Sequence, residues 1–586
     1  MKKIVKKLFV LLDKKQKQKM ALIVVLMLIG AVLETLGVAI ILPVMNVVVE
    51  EDAVSKHKYL QWICDLFKIS YQDTKTLMIV VLIGLVCVFA IKNLFLFFQQ
   101  KVQLSFVYSN QFATSRRMMI NFMKRPYEYY LNADTSVIQR TITSDVNNMY
   151  GLILALLGLA SEGIVFVCLI TISFISDVWM TITAASLLVV VLLVIMFILK
   201  PIMRRAGQEN QDYYSGLYKW IEQSVLGIKE IKIANKESYF IREYSGCGAG
   251  YVDAVQRYNL FNATPRLLIE TVAIAGMILY IIIRLFNGTS VIEIMPQITL
   301  LAVAAMRLIP CANRINNYLT SISYFEPFFM GVSDNLQDEI RDKNIVYDEE
   351  AYKKDVDVKK LPINKEIVLK DIVYKYPNTE TLIFDHANMT IPVGQSIGIV
   401  GTTGAGKTTV VDIMLGLLKL QSGEILADGV NIFDNYQGFL KNVGYIPQSI
   451  FMIDDSIRKN VAFGYAEEDI DDEKVWYALK QAQLDDFVRS LPEGLDAGIG
   501  ERGIRISGGQ RQRIGIARAL FEDPEVLVMD EATSALDNET EKAIMESINY
   551  LHGKKTLIII AHRLQTIEKC DKVFRVENGK INPERQ

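Results

Sequence analysis

The stretch Ile397-Gly-Ile-Val-Gly401-Thr-Thr-Gly-Ala-Gly-Lys407-Thr408 decides how the 586-residue chain is read. Gly401 to Thr408 fits GxxxxGK[ST], directly behind the apolar strand Ile397–Val400 and ahead of a helical segment. Glycine at 401, 404 and 406 lets successive backbone N–H groups turn inward around phosphate oxygens, with Thr402, Thr403 and Ala405 completing the loop. The helix opening at Lys407 adds its positive end. Lys407 reaches the outer phosphates, the Thr408 hydroxyl is placed to ligate Mg²⁺, and Thr409 follows it. The strand–loop–helix setting separates this motif from a mere Gly-rich turn. ATP and Mg²⁺ are the expected ligands.

Further along, Val526-Leu-Val-Met-Asp530-Glu531 reads as a buried strand ending in two carboxylates, at the sheet edge where ligands bind. Asp530 is expected to hold the Mg²⁺ shell, and Glu531 to orient or deprotonate the attacking water. Strand-like runs at Ser396–Val400, Val443–Ile446, Val526–Met529 and Thr556–Ile560 alternate with helical stretches. That is the pattern of a soluble α/β domain.

Between the two halves stands Ile506-Ser-Gly-Gly-Gln510-Arg-Gln-Arg, which resembles the signature motif of ABC transporters, with Ile506 where leucine is commoner. Other positions are similar to the same family. Tyr376 in Tyr-Lys-Tyr-Pro resembles the aromatic residue that stacks on adenine, and Gln448 in Ile-Pro-Gln the glutamine that senses Mg²⁺ and couples the domains. Ser534-Ala-Leu-Asp537 resembles the D-loop, His562 in Ala-His-Arg the switch histidine, and Gly500-Glu-Arg-Gly503 the loop that exporters use to touch the crossing domain. The resemblance implies that Glu531 and His562 carry hydrolysis. It also implies ATP sites completed between subunits, Lys407 of one facing Ser507, Gly508, Gly509 and Gln510 of the other. One nucleotide domain with all its motifs implies a half-transporter that works as a homodimer.

The first 330 residues read differently. Met20–Val49, Leu77–Phe98, Tyr150–Ser176, Val178–Leu199, Leu267–Asn287 and Ile294–Ile315 are apolar runs broken by at most two charges each. About 20 apolar residues of helix cross a bilayer core, so six spans are expected. The first run is too long for a cleaved signal peptide. Met1–Lys19 holds eight lysines, and positive loops stay in the cytoplasm, so both termini and the ATPase domain are expected there. The long basic inner loops Gln99–Asn148 and Lys200–Thr264 imply helices that continue beyond the membrane. Six spans fused to this nucleotide domain resemble the exporter (type IV) ABC architecture of a bacterial cytoplasmic (inner) membrane protein. Roughly Tyr130–Gln139 and Asn235–Arg242 resemble its coupling helices, though ordinary amphipathic loop helices would read alike.

The expected organisation is a six-helix, all-α transmembrane domain over residues 1–333, a charged linker over 334–363, and an α/β P-loop ABC nucleotide-binding domain over 364–586. Composition agrees with two unlike parts. Hydrophobic residues make up 51% and charged residues 22%, with a mean hydropathy of +0.25. That is too apolar for a disordered chain, and 63 basic against 65 acidic residues is too balanced for a nucleic-acid partner. Six cysteines without a CxxC pair exclude a disulfide scaffold and a clustered-Cys zinc site.

Charges inside a membrane mark candidate substrate contacts. At 1.5 Å per residue, Lys92 and Arg307 both fall roughly 24 Å from the outer ends of their spans, with Arg266 deeper. Such a basic layer suits a phosphate or pyrophosphate headgroup. The plainer alternatives are ion pairs, Arg266 with Glu270 at i,i+4 and Lys92 with Glu34 or Glu162, or Arg266 or Arg314 reaching the inner interface. Leu33-Glu-Thr-Leu-Gly37 with Pro43, Gly227-Ile-Lys-Glu-Ile-Lys, Pro265-Arg-Leu-Leu-Ile-Glu270 and Met306-Arg-Leu-Ile-Pro310 resemble the lipid-linked oligosaccharide flippases of bacterial protein glycosylation (PglK-type). A helical stripe at Tyr59–Ile69 is similar to the external helix that engages a polyprenyl tail in that family; a small cap on the span ends is the alternative. The expectation is ATP-driven flipping of a lipid-linked glycan, the alternative a multidrug or peptide exporter. With 19 residues before the first span, a bacteriocin-processing exporter is not expected.

Overall fold

The computed structural model describes residues 2–39, 58–67, 74–176, 178–286, 291–336, 349–530, 551–560, 567 and 569–584. The chain forms two compact units: Met1–Arg125 with Ala133–Asn344, and Pro126–Asn132 with Ile345–Gln586.

The first unit is helical. It runs α1 (Lys2–Leu11), α2 (Lys14–Ala39), α3 (Lys58–Phe67), α4 (Thr74–Met123), α5 (Thr135–Arg140), α6 (Val146–Ser176), α7 (Val178–Leu226), α8 (Ile228–Ala234), α9 (Glu237–Phe286) and α10 (Val291–Asn335). Helices of 50, 49 and 50 residues (α4, α7 and α9) are far longer than a bilayer needs; at 1.5 Å per residue each spans about 75 Å, so much of each lies outside any hydrocarbon core. Among the described residues, Lys14–Glu34, Lys75–Met123 and Thr135–Thr171 are long and apolar enough to cross a membrane; parts of the expected first and fifth spans lie beyond those residues. Helix α7 packs along α9 and α10, and α6 along α10. Ala31, Leu169, Leu199, Ile269, Leu308 and Ile315 form an apolar core among them. The helix expected near Tyr59–Ile69 is α3, with Cys64 buried and Trp62 and Leu66 exposed.

Between α5 and α6 one turn, Thr141–Asp145, is a π-helix. Its extra residue turns Asp145 into the helix packing, where it is buried. Arg140 Nε donates to Asp145 Oδ2 at 3.2 Å and Gln211 Nε2 to the same oxygen at 3.1 Å. Arg140 Nη1 also reaches the Gln211 carbonyl at 2.9 Å and Ser215 Oγ at 2.6 Å, tying the turn to α7. A buried charge is tolerable because it is paired and hydrogen-bonded.

Of the first expected coupling segment, Tyr130–Gln139, residues 130–132 fall in the second unit, which takes in Pro126–Asn132. Proline cannot continue α4, and Tyr127–Tyr130 forms a single turn after it. Glu128 Oε1 then accepts from the Lys419 backbone N–H at 3.0 Å and from the Tyr374 hydroxyl at 3.3 Å. Thr135–Arg140 instead packs on α7 in the first unit. The second segment, Asn235–Arg242, straddles the joint between α8 and α9. Asn235 takes φ 54°, the left-handed conformation that ends a helix, and Trp220 stands edge-on to Tyr239 and Phe240.

The second unit is α/β. A four-stranded antiparallel sheet is ordered β2 (Phe384–Pro392), β1 (Glu366–Tyr374), β4 (Ser422–Ala427), β5 (Val430–Asn431). A six-stranded sheet is ordered β10 (Lys580–Glu584), β9 (Lys572–Glu577), β3 (Ser396–Val400), β8 (Thr556–Ile560), β7 (Val526–Asp530), β6 (Val443–Ile446). From β9 to β6 its neighbours are parallel. Every residue of β7 and β8 is buried, as expected of parallel strands covered on both faces, which read as unbroken apolar runs. Ile560 lies in register with both Ile399 and Asp530. The ends of β3, β7 and β8 therefore share one edge of the sheet.

Candidate functional site

That edge carries the phosphate loop. Gly401 follows β3 directly, and α11 (Lys407–Met414) leaves the loop after Gly406, whose φ is 101°. A Cβ at Gly406 would be strained and would sit 3.1 Å from Ile383; one at Gly401 would stand 2.6 Å from the Val576 carbonyl. Only glycine fits either place. Lys407 is buried, and its Nζ donates to the carbonyls of Gly401 and Thr402, each at 3.1 Å. The ammonium is thus curled over the loop's own backbone. Thr402, Thr403, Gly404 and Thr408 are exposed, Ala405 is half-buried, and Thr409 is buried. The Thr409 hydroxyl lies 2.8 Å from the hydroxyl of Tyr376. Tyr376 is half-buried and edge-on to Tyr374, centroids 5.3 Å apart. The residue that the resemblance assigns to adenine is thereby anchored to the phosphate-loop helix.

The donor set fits a divalent cation. Asp530 ends β7 and is 5% exposed. Burial and the charge of Asp530 push the carboxyl of Asp412, on α11, up to about 6. Two carboxylates gathered beside a phosphate loop are what a cation neutralises. Thr408 is the exposed hydroxyl at the helix start, and Gln448 is exposed two residues beyond β6. Asp412 was not singled out in the sequence, because its nearness to Asp530 arises from strand order and not from spacing.

The shift predicts a pH effect. A carboxyl raised from 3.8 to about 6 is protonated more readily in the folded chain. The stability it contributes is full below about pH 4 and is lost as the pH rises through 6. In metal-free protein without nucleotide, Asp412→Asn is therefore expected to melt a few degrees higher than wild type at pH 7.5. The gap should close near pH 4.5. Equal melting curves at pH 7.5 would contradict the raised pKa.

Ser507 caps α12 (Gly508–Leu520): its Oγ accepts from the Gln510 N–H at 3.2 Å, and Gln510 Oε1 accepts from the Ser507 N–H at 2.9 Å. This capping box fixes the first turn. Ser507 and Gly508 are exposed there, and Gly509 and Gln510 half-buried. Glu531, Asp537 and His562 lie outside the described residues.

Arg266 is exposed and pairs with Glu270 at 2.9 Å, the i,i+4 partner open to it in the sequence. Arg314 pairs with Glu162 at 2.6 Å, which takes Glu162 from Lys92. Lys92 is buried, 4.6 Å from the centre of the Phe89 ring, and among the described residues no carboxylate pairs with it. Arg307 lies on α10, with its side chain outside the described part.

A parallel sheet ending in a phosphate loop, on one chain with helices long enough to cross a bilayer, defines a membrane protein with a built-in nucleotide-binding unit. The profile described as "ABC transporter transmembrane region" matches residues 10–306, and "ABC transporter" matches residues 384–534. The chain belongs to the ABC transporter family, with a transmembrane region and a nucleotide-binding unit on one chain. It is 41% identical over 217 residues to an ATP-dependent lipid A-core flippase of Pectobacterium atrosepticum, covering 37% of each chain. The flippase of that name from Vibrio cholerae is 38% identical over 220 residues, 37% of this chain and 38% of that one. These matches span little more than a third of either relative. A Staphylococcus aureus protein named for multidrug export, an ATP-binding/permease protein, is 27% identical over 485 residues, 80% of this chain and 81% of that one. A solved structure described as a bacterial Atm1-family ABC exporter with ATP bound shares the fold, with TM-score 0.75 and 21% identity over 97% of this chain and 95% of that one.

Proposed function

We propose that the chain is an ATP-driven exporter that works as a homodimer by alternating access, and that it flips a lipid-linked glycan bearing phosphate or pyrophosphate. The observation that carries the ATPase reading is the glycine cradle closed by buried Lys407. In this reading Lys407 and the loop N–H groups bind the phosphates, and Tyr376 positions the base. Thr408, Gln448 and Asp530 would hold Mg²⁺, which supplies neutralisation of phosphate charge when bound. Ser507 to Gln510 of a second copy would complete each site, with Asp537 beside it. Glu531 orients the attacking water, and His562 holds the charge that develops on the terminal phosphate. Closure of two nucleotide units would turn the membrane domain outward, and hydrolysis would reset it. Glu128, whose carboxylate is fixed on Lys419 and Tyr374, would carry that movement.

The lipid reading draws on the flippase relatives and on Lys92, buried in an apolar helix without a carboxylate partner among the described residues. The pairing of Arg266 with Glu270 leaves Lys92 and Arg307 as the stronger headgroup candidates. A multidrug exporter is the second reading, favoured by the longer Staphylococcus aureus match. The test is ATPase activity in proteoliposomes. Polyprenyl-diphosphate glycans are expected to stimulate hydrolysis several-fold, and the paired variant Lys92→Gln with Arg307→Gln to lose most of that stimulation with basal turnover intact. Stimulation by dyes or peptides alone would reverse the substrate class, and full glycan stimulation in the variant would remove these two residues from the site.

A further inference from the structure

Helix α1 carries a charge pattern that neither the nucleotide site nor the spans use. Its ten residues hold four lysines and no acidic residue. Ile4, Leu8 and Leu11 are buried, with Leu12 just beyond, and α1 packs on α10. Lys7 pairs with Asp334 near the end of α10, and Arg117 of α4 donates to the Leu11 carbonyl at 3.2 Å. The helix is therefore fixed along one side.

The other side is unlike a soluble surface. Val5, Phe9 and Val10 are 38%, 48% and 53% exposed. Lys2, Lys3 and Lys6 stand exposed beside them, and no acidic side chain pairs with these three among the described residues. After Asp13 the chain enters α2, whose first turns add exposed Lys14, Lys15, Lys17 and Lys19 at the start of an apolar helix able to span a membrane. Water alone would leave Phe9 and Val10 unsatisfied, and hydrocarbon alone would strand the ammonium groups. Both are met at the lipid interface, with apolar side chains at the acyl boundary and lysines among phosphates.

We propose that α1, with the first turns of α2, is a binding site for anionic phospholipid headgroups, formed by Lys2, Lys3 and Lys6 around exposed Val5 and Phe9. Its occupant is a lipid and not free phosphate, because the lysines flank an apolar face that a soluble anion would not cover. Each lysine near an anionic surface favours binding by about five-fold, and the effect should fade with salt.

The full chain reconstituted in nanodiscs of one part phosphatidylglycerol to three parts phosphatidylcholine provides the test. After detergent extraction, the lipid that stays bound is counted by native mass spectrometry. Wild type is expected to retain phosphatidylglycerol at least ten-fold above its share at low salt, and near its share in 0.5 M salt. The triple variant Lys2→Gln, Lys3→Gln, Lys6→Gln should lose that enrichment, whereas the same positions changed to Arg should keep it. Nucleotide-induced melting shifts, equal in all three proteins, establish that each has folded. Undiminished enrichment in the Gln variant would overturn the site. Displacement of the bound lipid by millimolar inorganic phosphate would overturn the lipid assignment.

Discussion

Lys407→Ala is expected to lower ATP hydrolysis by about two to three orders of magnitude, the usual cost of removing one preorganised donor from developing phosphate charge. The geometry makes the residue hard to replace. Its stem is buried, and its Nζ donates to the carbonyls of Gly401 and Thr402 at 3.1 Å each. The cation sits where the loop closes, at the N-terminus of α11, and its charge adds to that of the helix end. Alanine removes the charge and leaves the two carbonyls without their donor. Binding should suffer with chemistry. The melting shift that saturating ATP and Mg²⁺ give wild type is expected to fall by more than half in the variant, since stabilisation by a ligand follows its affinity. Hydrolysis rate and melting shift, measured on the same preparation, check both parts. A variant that turns over ATP at more than a tenth of the wild-type rate would exclude the loop as the working site.

Much of this was legible because it is local. A phosphate loop needs glycine where φ is positive, as at Gly406, and a strand before it, and both are written in consecutive residues. Parallel strands buried on both faces show as unbroken apolar runs, so Val526–Met529 and Thr556–Ile560 could be found without a partner. Apolar runs long enough to span a bilayer are equally local. What stayed hidden depends on register between distant segments. The π-turn at Thr141–Asp145 has no sequence signature, and Asp145 reads as a surface charge until Arg140 and Gln211 close on it. The turn Tyr127–Tyr130 is likewise unmarked in the sequence, because Glu128 finds its partners at Lys419 and Tyr374, 291 and 246 residues away. Glu162 is open to Lys92 in the sequence but pairs with Arg314 across α6 and α10, a choice set by helix packing. Charged side chains in a membrane helix have several candidate partners, and sequence does not rank them.

Glu531→Gln separates the two halves of the proposed cycle, binding from hydrolysis. The residue follows Asp530, which ends a fully buried strand in register with Ile560. If Glu531 only orients or deprotonates water, glutamine keeps the shape and loses the base. Hydrolysis is then expected to drop by at least about 100-fold while ATP still binds. The melting shift with ATP and Mg²⁺ should equal or exceed that of wild type, the reverse of Lys407→Ala. With turnover blocked, two copies should accumulate as an ATP-dependent closed dimer. A cysteine pair at Ser507 and Thr403, one on each copy, is expected to crosslink in this variant with ATP and far less without it. That outcome follows only if the exposed cap of α12 completes the phosphate loop of another subunit. Normal turnover in Glu531→Gln would refute the assignment of the base. Loss of turnover with no ATP-dependent crosslink would keep the base and remove the shared site, so the variant tests the chemistry and the dimer independently.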